Sequence, residues 1–311
     1  MPRGAVRRIV AAMRYLIALA LIAGCTTPTL PDRVAALAHA HHGKVALYAH
    51  HLGTGATIEL DADREVKTAS AIKLAILVEA FYQVQAGTLD LGATTALHDA
   101  DKVAGSGVLP LLHDGLELTV HDALALMIAL SDNTATNLVI DRLGGVGAVN
   151  ARLARLGYHH THLYKKIYVP ATEPMPADQQ QFGLGKTTPR ELAGLMASIA
   201  RCDLGDAGLC ARMLGMLRNQ QARYLTARYL ETADTSETPS AIAAKLGELD
   251  AARIEVALIA SRTGPIVIAT FTWDNVDERY SPDNEAAILI ARLAATIVRA
   301  WSPAGIRTGE P

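Results

Sequence analysis

Segments with strand-like sequence lie at the two ends of this chain and flank a long middle part with helical patterns. Five short stretches are rich in β-branched, aromatic and other apolar residues and are predicted strands: 44–48, 56–60, 241–245, 253–260 and 267–273. The first two flank the turn Gly53-Thr-Gly55, a pattern typical of a β-hairpin. Strand segments from both ends can bury their apolar faces in one shared sheet. We therefore expect an α/β chain of the α+β type, with an antiparallel five-stranded sheet built from both termini, flanking helices and an all-helical insert.

The middle of the chain, from Thr88 to about Arg218, shows helix starts and no convincing strand. Thr119-Val-His-Asp122 is close to a capping box, and Thr188-Pro-Arg-Glu191 combines a cap residue, a proline and a glutamate in favourable positions. A last apolar helix is predicted from about Glu285 to Trp301. The polar stretch from Tyr164 to Thr187 contains prolines and is predicted to be a long loop. A loop of that length inside a compact domain is usually either functional or disordered.

The first 24 residues have the character of a secretory signal. They carry four arginines and no acidic residue, and an apolar run from Tyr15 to Ala23 is too short to span a membrane comfortably. The run ends in Leu21-Ile-Ala-Gly-Cys25, which resembles the lipobox of bacterial lipoproteins. This resemblance implies a lipoprotein signal peptide over 1–24, lipidation of Cys25, and an exported protein anchored by lipid in the periplasm or at the cell surface. The alternative is an ordinary signal peptide with an incidental cysteine.

The rest of the chain has the size of one large domain or of two interleaved ones. Without the signal segment, 287 residues remain, with 25 basic and 31 acidic side chains and a net charge of −6. They contain no basic tract, which argues against nucleic acid as a partner. The predicted organisation is a tether at 25–31, a folded domain at 32–302 and a disordered tail at 303–311, with the sheet part at 32–66 and 220–302 and the helical part at about 67–219.

Cysteines and histidines form two further candidate structural sites. In an exported protein with a lipidated Cys25, Cys202 and Cys210 remain as an even pair, so a disulfide between them is predicted, with two buried thiols as the alternative. Histidines cluster at positions 39, 41 and 42 and again at 159, 160 and 162. Neither cluster has helical i, i+4 spacing with an acidic partner. We therefore interpret them as solvated loop histidines and expect no metal.

A serine and a lysine three residues apart form the first chemically distinctive pair. The stretch Lys67-Thr-Ala-Ser70-Ala-Ile-Lys73 precedes an apolar run from Leu74 to Val84, which predicts a helix with Ser70 in its first turn. Residues i and i+3 of a helix are neighbours, so the Lys73 amine is expected within hydrogen-bond reach of the Ser70 hydroxyl. Burial would lower the pKa of the lysine and let it accept the serine proton. The alternative is a capping serine beside a solvated lysine.

Two distant triplets supply partners for this pair. Ser131-Asp132-Asn133 lies between two predicted helices, and Lys245-Leu246-Gly247 ends the first strand after Pro239. Ser-x-x-Lys, Ser-Asp-Asn and Lys-x-Gly in this order are the signature of class A β-lactamases and penicillin-binding proteins. From about residue 32 to 302, the chain resembles the class A β-lactamases and their related serine hydrolases. The resemblance implies a lipid-anchored enzyme that opens β-lactam amide bonds through a Ser70 acyl-enzyme.

The resemblance also implies a role for each matching residue. Ser70 would be the nucleophile, Lys73 its base or proton relay, Ser131 the proton donor to the leaving nitrogen, Asn133 the partner of the substrate's side-chain amide, and Lys245 the partner of its carboxylate. The oxyanion hole would comprise the backbone N–H groups of Ser70 and of Glu248, which follows Gly247. Arg253, on the next strand, is a candidate second anchor for the carboxylate because a guanidinium can bind it bidentately; the alternative is a strand-edge arginine in water.

Two departures from the family pattern concern substrate binding and release. Leu246 stands where the family has a hydroxyl-bearing residue, so one hydrogen bond to the substrate carboxylate is missing, which typically costs about 1.5 to 3 kcal/mol. The loop from Tyr164 to Thr187 lacks the Glu-x-x-Leu-Asn motif whose glutamate activates the hydrolytic water in class A enzymes. Glu173 and Asp178 are the available carboxylates, and Glu173 is the candidate catalytic base, with a solvated loop acid as the alternative.

Three functions remain open on these grounds. The first is β-lactam hydrolysis; the second is a cell-wall DD-peptidase or another serine amidase or esterase with the same acylation machinery. The third is a penicillin-binding module with slow deacylation. In each case we expect a small-molecule β-lactam or a peptidoglycan-like substrate, no cofactor, a monomer, and contact with the membrane only through the lipid on Cys25.

Overall fold

The computed structural model describes residues 27–171, 174–230 and 240–307. Its strands are β1 Lys44–His51, β2 Thr57–Leu60, β3 Val66–Lys67, β4 Thr94–Leu97, β5 Leu116–Thr119, β6 His162–Leu163, β7 Gly185–Thr187, β8 Ile242–Leu249, β9 Ala252–Ser261 and β10 Gly264–Trp273. Its α-helices are α1 Leu30–His39, α2 Lys73–Gln85, α3 Val120–Ala129, α4 Asn133–Arg142, α5 Val146–Arg155, α6 Gln179–Phe182, α7 Pro189–Arg201, α8 Ala207–Arg218 and α9 Glu285–Trp301. Short 3-10 turns occupy Ala69–Ile72, Asp99–Asp101, Leu109–Leu111 and Thr226–Tyr229.

The central sheet has five strands in the order β2-β1-β10-β9-β8, and its neighbouring strands are antiparallel. Two of its strands come from the amino end of the chain and three from the carboxyl end, so the predicted fold class is confirmed. The two halves meet where β1 pairs with β10, from Lys44 opposite Trp273 to His51 opposite Ile266. Since β8 is an edge strand of this sheet, one row of its backbone groups is available to other partners.

Helices cover both faces of the sheet. On one face, Val34 of α1 and Leu293 of α9 join Ile259 and Ile268 of the sheet in one buried apolar cluster. On the other face, the larger cluster joins α2 and α7 to β9 and β10 and continues through the helical part. The last helix begins and ends at the predicted residues, and the Asn284 side chain caps it by accepting hydrogen bonds from two backbone N–H groups.

The helical part also contains short strands, so the expectation of no strand between Thr88 and Arg218 is wrong. β4 pairs with β5 in a two-stranded ribbon, and β7 pairs with both β3 and β6. Each of these strands has two to four residues. Such segments are too short to show an alternating apolar pattern, and their pairing depends on neighbours that are distant in sequence.

A disulfide joins two neighbouring helices of the helical part. Cys202 ends α7 in a left-handed conformation and forms a disulfide with Cys210 of α8.

The start of the tail, which the sequence predicts to be disordered from residue 303, is ordered as far as it is described. Ile306 pairs with Ser261, and the Arg307 N–H donates to the Ala260 carbonyl at 2.7 Å. Backbone groups at the end of β9 thus find partners that no local sequence pattern reveals.

Within the three described ranges, no helix combines the length and the apolar character needed to cross a membrane. The signal segment and Cys25 lie outside the described residues.

Candidate active site

Ser70 lies in the 3-10 turn that leads into α2 and lines a cleft of about 740 Å³. The residue before it, Ala69, has a φ of 43°, and Ser131 on the opposite side of the cleft has a φ of 56°. Residues other than glycine rarely adopt this left-handed conformation, which costs of order 1–2 kcal/mol each. Strain of this kind is concentrated at functional sites, because the surrounding structure must hold the backbone in place.

Lys73 is the first residue of α2 and is fully buried. Its amine lies 2.6 Å from the Ser131 carbonyl oxygen, 3.1 Å from Ser131 Oγ and 2.9 Å from Asn133 Oδ1. Among the described contacts, none joins this amine to Ser70 Oγ by a hydrogen bond, so the expected direct contact is absent. The amine is instead directed to three acceptors of the Ser131–Asn133 segment, which match the three donors of a lysine ammonium.

Ser131 Oγ bridges two buried lysines. It lies 3.1 Å from Lys73 Nζ and 3.2 Å from Lys245 Nζ. Burial lowers the pKa of Lys73 well below its usual range, and the charge of Lys245 lowers it further, against the opposing effect of Asp132. Burial likewise lowers the pKa of Lys245 to about 7, although Glu255 and Glu248 act to raise it. Two amines with lowered pKa therefore flank one hydroxyl of the cleft lining, that of Ser131.

Asp132 holds the middle triplet in shape. It is fully buried, and its carboxylate accepts hydrogen bonds from the backbone N–H groups of Val108, Leu109 and Ala135. The last of these bonds caps α4, and the first two fix the preceding loop against the cleft. Gly107 allows this approach, because a Cβ there would lie 2.2 Å from the Asp132 carboxylate. The carboxylate thus positions Ser131 and Asn133 on either side of it rather than contacting a ligand.

The β8 edge runs directly beside the Ser70 turn. A Cβ on Gly247 would lie 2.6 Å from the Thr68 carbonyl oxygen and 3.0 Å from Ser70 N, so only glycine permits this approach. The Leu246 N–H points away from β9 and donates to Gln220 Oε1 at 2.8 Å. Since N–H directions alternate along a strand, the Glu248 N–H points to the same outer edge. The backbone of Glu248 and that of Ser70 therefore lie on facing sides of a narrow gap.

Arg253 does not lie where a second carboxylate anchor is needed, so this expectation is wrong. Its side chain is fully buried, outside the cleft lining, and its guanidinium donates to the backbone carbonyls of Leu249, Ala252 and Arg279. Its Nε also lies 3.2 Å from a Glu248 carboxylate oxygen. These partners around the β8–β9 turn use the donors that a substrate would require.

The part of the long loop that lines the cleft has no carboxylate among its described residues, so it offers no group there to activate water. The Asn137 side chain holds its backbone by accepting from the Ile167 N–H and donating to the Ile167 carbonyl, both at 2.9 Å. Lys165, Lys166, Ile167 and Tyr168 consequently line the cleft. Asp178 is outside the described cleft lining and pairs with Lys186 at 3.0 Å. Glu173 lies outside the described residues.

Glu248 is the only carboxylate among the described residues that line the cleft. The rest of the lining combines apolar residues with amides, hydroxyls and lysines. The Glu248 carboxylate is itself paired with Arg253. The described lining of the cleft therefore contains no free carboxylate beside Ser70.

Sequence reasoning missed three residues that shape the cleft. Ser106 donates to the Ser131 carbonyl at 2.7 Å, and Gln220 bonds both the β8 edge and the carboxylate of Glu255. Their partners are 25 to 35 residues away in sequence. An isolated serine, glutamine or glutamate carries no local pattern that would identify it, so no sequence signal pointed to them.

Comparison with known proteins finds relatives that share the fold. A solved β-lactamase from Sphaerobacter thermophilus DSM 20745 is 32% identical, with a TM-score of 0.74, over 86% of this chain and 96% of that one. The structure of PBP-A is 24% identical with a TM-score of 0.71, over 87% of this chain and 95% of that one, and shares the fold. A β-lactamase of Streptomyces fradiae is 31% identical over 170 residues, which is 50% of this chain and 55% of that protein.

The chain spans about half the length of the curated relatives it matches, which include β-lactamase ROB-1 of Haemophilus influenzae, 27% identical over 168 residues. The broadest match is to a family model. The model of the Beta-lactamase enzyme family matches residues 29–301, nearly the whole of the described structure. The chain therefore belongs to the β-lactamase enzyme family.

Proposed function

We propose that this chain is a serine hydrolase that opens the amide bond of β-lactams through an acyl-enzyme on Ser70, and that release of the acyl group is its slow step. The observation that carries the proposal is the contact of Ser131 Oγ with both Lys73 Nζ and Lys245 Nζ, at 3.1 and 3.2 Å, in the cleft that Ser70 lines. Two amines with lowered pKa around one hydroxyl provide a path for a proton between the nucleophile and a leaving nitrogen.

In the acylation step, Ser70 Oγ bonds to the lactam carbonyl carbon and its proton passes to the neutral amine of Lys73. The contact between these two groups is absent among the described hydrogen bonds, and we propose that it forms in the substrate complex. The carbonyl oxygen becomes an oxyanion, for which the backbone N–H groups of Ser70 and Glu248 are the proposed donors. When the C–N bond breaks, the nitrogen takes a proton from Ser131 Oγ, which regains one from Lys73. The net result is the transfer of one proton from Ser70 to the leaving nitrogen.

Substrate positioning is assigned to Asn133 and Lys245. The Asn133 side chain is held by the Ala104 carbonyl and by Lys73, which leaves its position fixed at the cleft wall. There it can bond the side-chain amide of a substrate. Lys245 carries the positive charge of the β8 edge and attracts a substrate carboxylate when it is protonated.

Deacylation lacks a comparably positioned catalytic base among the described residues, which favours a second candidate function. A hydrolytic water needs a base, and the one carboxylate of the described cleft lining, Glu248, is paired with Arg253. A penicillin-binding module with a long-lived acyl-enzyme fits this arrangement. Glu173 stays a proposed base for hydrolysis; it would have to act from a position outside the described residues.

Turnover of a chromogenic cephalosporin by the purified domain tests the hydrolase proposal. We expect an initial burst of ring opening equal to the enzyme concentration, followed by slow steady turnover, both lost in Ser70→Ala. No ring opening by the wild-type chain, together with hydrolysis of simple esters or peptidoglycan peptides that Ser70→Ala abolishes, would assign the site to an amidase or peptidase instead.

The cellular location is a further proposal that rests on the signal-like first 24 residues and on family membership. We propose export and attachment through lipid on Cys25. Mass analysis of the protein from a membrane fraction, with Cys25→Ala as the control, tests both: the variant is expected in the soluble fraction without the lipid mass.

A further inference from the structure

A lysine without an acidic partner lines the cleft on the side of the long loop. Lys165 is partly buried and belongs to the loop segment 165–168 of the cleft lining. In the part of the chain that the structure describes, its amine forms neither a hydrogen bond nor an ion pair. The proposed acylation chemistry makes no use of this cation.

The other three charged residues of the described lining are each engaged. Lys166 donates to both carboxylate oxygens of Asp141, at 2.7 and 2.8 Å. The Glu248 carboxylate is paired with Arg253 at 3.2 Å. Lys245 is fully buried, and burial lowers its pKa to about 7. The remaining lysine of the loop is therefore the cation of this lining that is free to bind a ligand.

Helix α4 fixes where the loop segment lies relative to the substrate. Asn133, Asn137 and Asp141 follow one another at intervals of four residues and share one face of α4. Asn137 bonds the backbone of Ile167 at 2.9 Å in both directions, and Asp141 bonds Lys166. The loop segment therefore runs along this face and lies about one helical turn from Asn133.

Gly105 shows that the loop and Asn133 meet on the same side of the cleft. A Cβ on Gly105 would lie 2.6 Å from Asn133 Nδ2 and 3.3 Å from Tyr168 Cε2, so both side chains adjoin this one glycine. Asn133 is the proposed partner of the amide in the substrate's acyl side chain. A group attached beyond that amide would thus approach the loop segment and come within reach of the flexible side chain of Lys165.

The chemistry of a free ammonium group decides which ligand fits there. It has three donors and no acceptor, and its hydrogen bonds to a carboxylate are stronger than those to a neutral group. This advantage is larger in a partly desolvated cleft than in bulk water. A second cation at this position would be repelled, and an apolar group would leave the ammonium without a partner.

We infer that Lys165 selects acyl donors that carry an anionic group, such as a carboxylate, on the acyl side chain beyond the amide held by Asn133. The inference rests on the proposed function for the identity of the acyl donor. Lys165 is in this role a specificity-determining residue that contacts the substrate. A carboxylate on the leaving-group side keeps its own partner, Lys245, so the two anions of such a substrate are bound at separate places.

Equilibrium binding to the Ser70→Ala chain tests the inference without requiring acylation. The ligands are benzylpenicillin, carbenicillin and ampicillin, which carry hydrogen, a carboxylate or an amino group on the carbon next to the side-chain amide. At about pH 6.5, where the carboxylate is ionised and the amine protonated, carbenicillin should bind about fivefold more tightly than benzylpenicillin, and ampicillin should bind more weakly. Adding Lys165→Gln should bring the three affinities within about twofold of one another.

Three further variants in the Ser70→Ala chain control for charge and folding. Lys165→Arg keeps the cation and should keep the preference. Lys166→Gln removes the same charge from a lysine that Asp141 already holds, so it should change the ratio of affinities by at most about twofold. Glu173→Gln, outside the described residues, should also leave the ratio within about twofold. Each protein is compared by its thermal unfolding midpoint.

The inference is overturned if the Ser70→Ala chain binds carbenicillin no more tightly than benzylpenicillin, if it binds neither, or if Lys165→Gln and Lys166→Gln lower the ratio equally. A preference that appears only in Glu173→Gln, or one that Lys165→Arg abolishes, would also overturn it. Failure of the proposed function has a different mark. It would appear as absence of any covalent adduct on the chain with Ser70 intact, while the binding preference could still be measured.

Discussion

The chemistry of this site depends on the protonation of two lysines that share one hydroxyl. A neutral Lys73 amine can donate to the Ser131 carbonyl and to Asn133 Oδ1 while its lone pair faces Ser131 Oγ, all within 3.1 Å. Lys245 approaches the same hydroxyl from the other side at 3.2 Å. Since two adjacent ammonium groups repel each other, burial and proximity both favour loss of one proton, and the resulting neutral amine is the base in the proposed acylation step.

Replacement of Lys73 tests this assignment. Lys73→Ala removes the proton acceptor, so the rate of adduct formation on Ser70 should fall by at least about 100-fold, the usual contribution of a positioned general base. Lys44→Ala serves as a matched control, because Lys44 is exposed and pairs with Asp274 on the surface. Normal labelling of Ser70 in Lys73→Ala would refute the base assignment.

The two lysines also predict the pH dependence of acylation. The rate should rise as pH rises through the lowered pKa of Lys73, because only the neutral amine accepts a proton. With a substrate that carries a carboxylate, kcat/KM should fall again as pH passes about 7, because Lys245 then loses the charge that attracts it. With the methyl ester of that substrate, the fall of kcat/KM above pH 7 should disappear. Identical bell-shaped pH profiles for the acid and the ester would contradict the role of Lys245.

At the residue scale, the sequence predicted candidate residues for the site but not all of their contacts. Ser70, Lys73 and Ser131 belong to a motif set in which each side chain has a chemical reason to be present. Arg253 was a candidate anchor only because of its charge and its position on a strand. In the structure its side chain lies outside the described cleft lining and donates to the Arg279 carbonyl. Which way a strand residue points depends on register, which a single sequence does not fix.

The elements of the site are held at short range by glycine and by side-chain caps. Gly247 lets β8 touch the turn that carries Ser70, and Asp132 pins the loop before α3 to the start of α4. The helices and the main sheet followed from apolar patterns and cap residues. The short strands β4 to β7 did not, because residues distant in sequence determine their pairing.

Gly247→Ala tests how closely β8 and the Ser70 turn must approach. A methyl group there would meet backbone atoms at 2.6 to 3.0 Å and push the strand away from Ser70. A displacement of about 1 Å can cost about 100-fold in rate, and we expect a loss of that order in acylation. Gly215→Ala, in α8 with open space around it, should leave acylation unchanged and stabilise the fold by up to about 1 kcal/mol. Equal rates in both variants would contradict this account of the site.

The loop that carries Ile167 gives a test of the missing base. Ile167 lines the cleft and is anchored by Asn137, so Ile167→Glu would add a carboxylate to a fixed segment near the acyl group. We expect the lifetime of the β-lactam adduct to shorten by at least about tenfold, because the new group can activate water. Ile167→Gln has the same shape without the base and should not shorten it. An unchanged lifetime in Ile167→Glu, or equal shortening in both, would count against this explanation of slow release.

The whole molecule places a helical part and a two-ended sheet on the two sides of one cleft. Ser70 and Ser131 come from the helical part, whereas Lys245 and Glu248 come from the sheet edge. Ser70 and Glu248 lie 178 positions apart in the sequence (248 − 70), so the site forms only when both parts fold together. The architecture was predictable because strand patterns at both ends leave few alternatives, whereas the pairing of Ile306 with Ser261 of β9 was not.

Time-resolved intact-mass measurement after exposure to a β-lactam tests the central claim most directly. We predict that the wild-type domain gains the full mass of one β-lactam on the peptide that contains Ser70, that this adduct forms faster than it decays, and that Ser70→Ala never gains it. A wild-type chain that gains no mass, or a Ser70→Ala chain that gains the same mass, would contradict the claim.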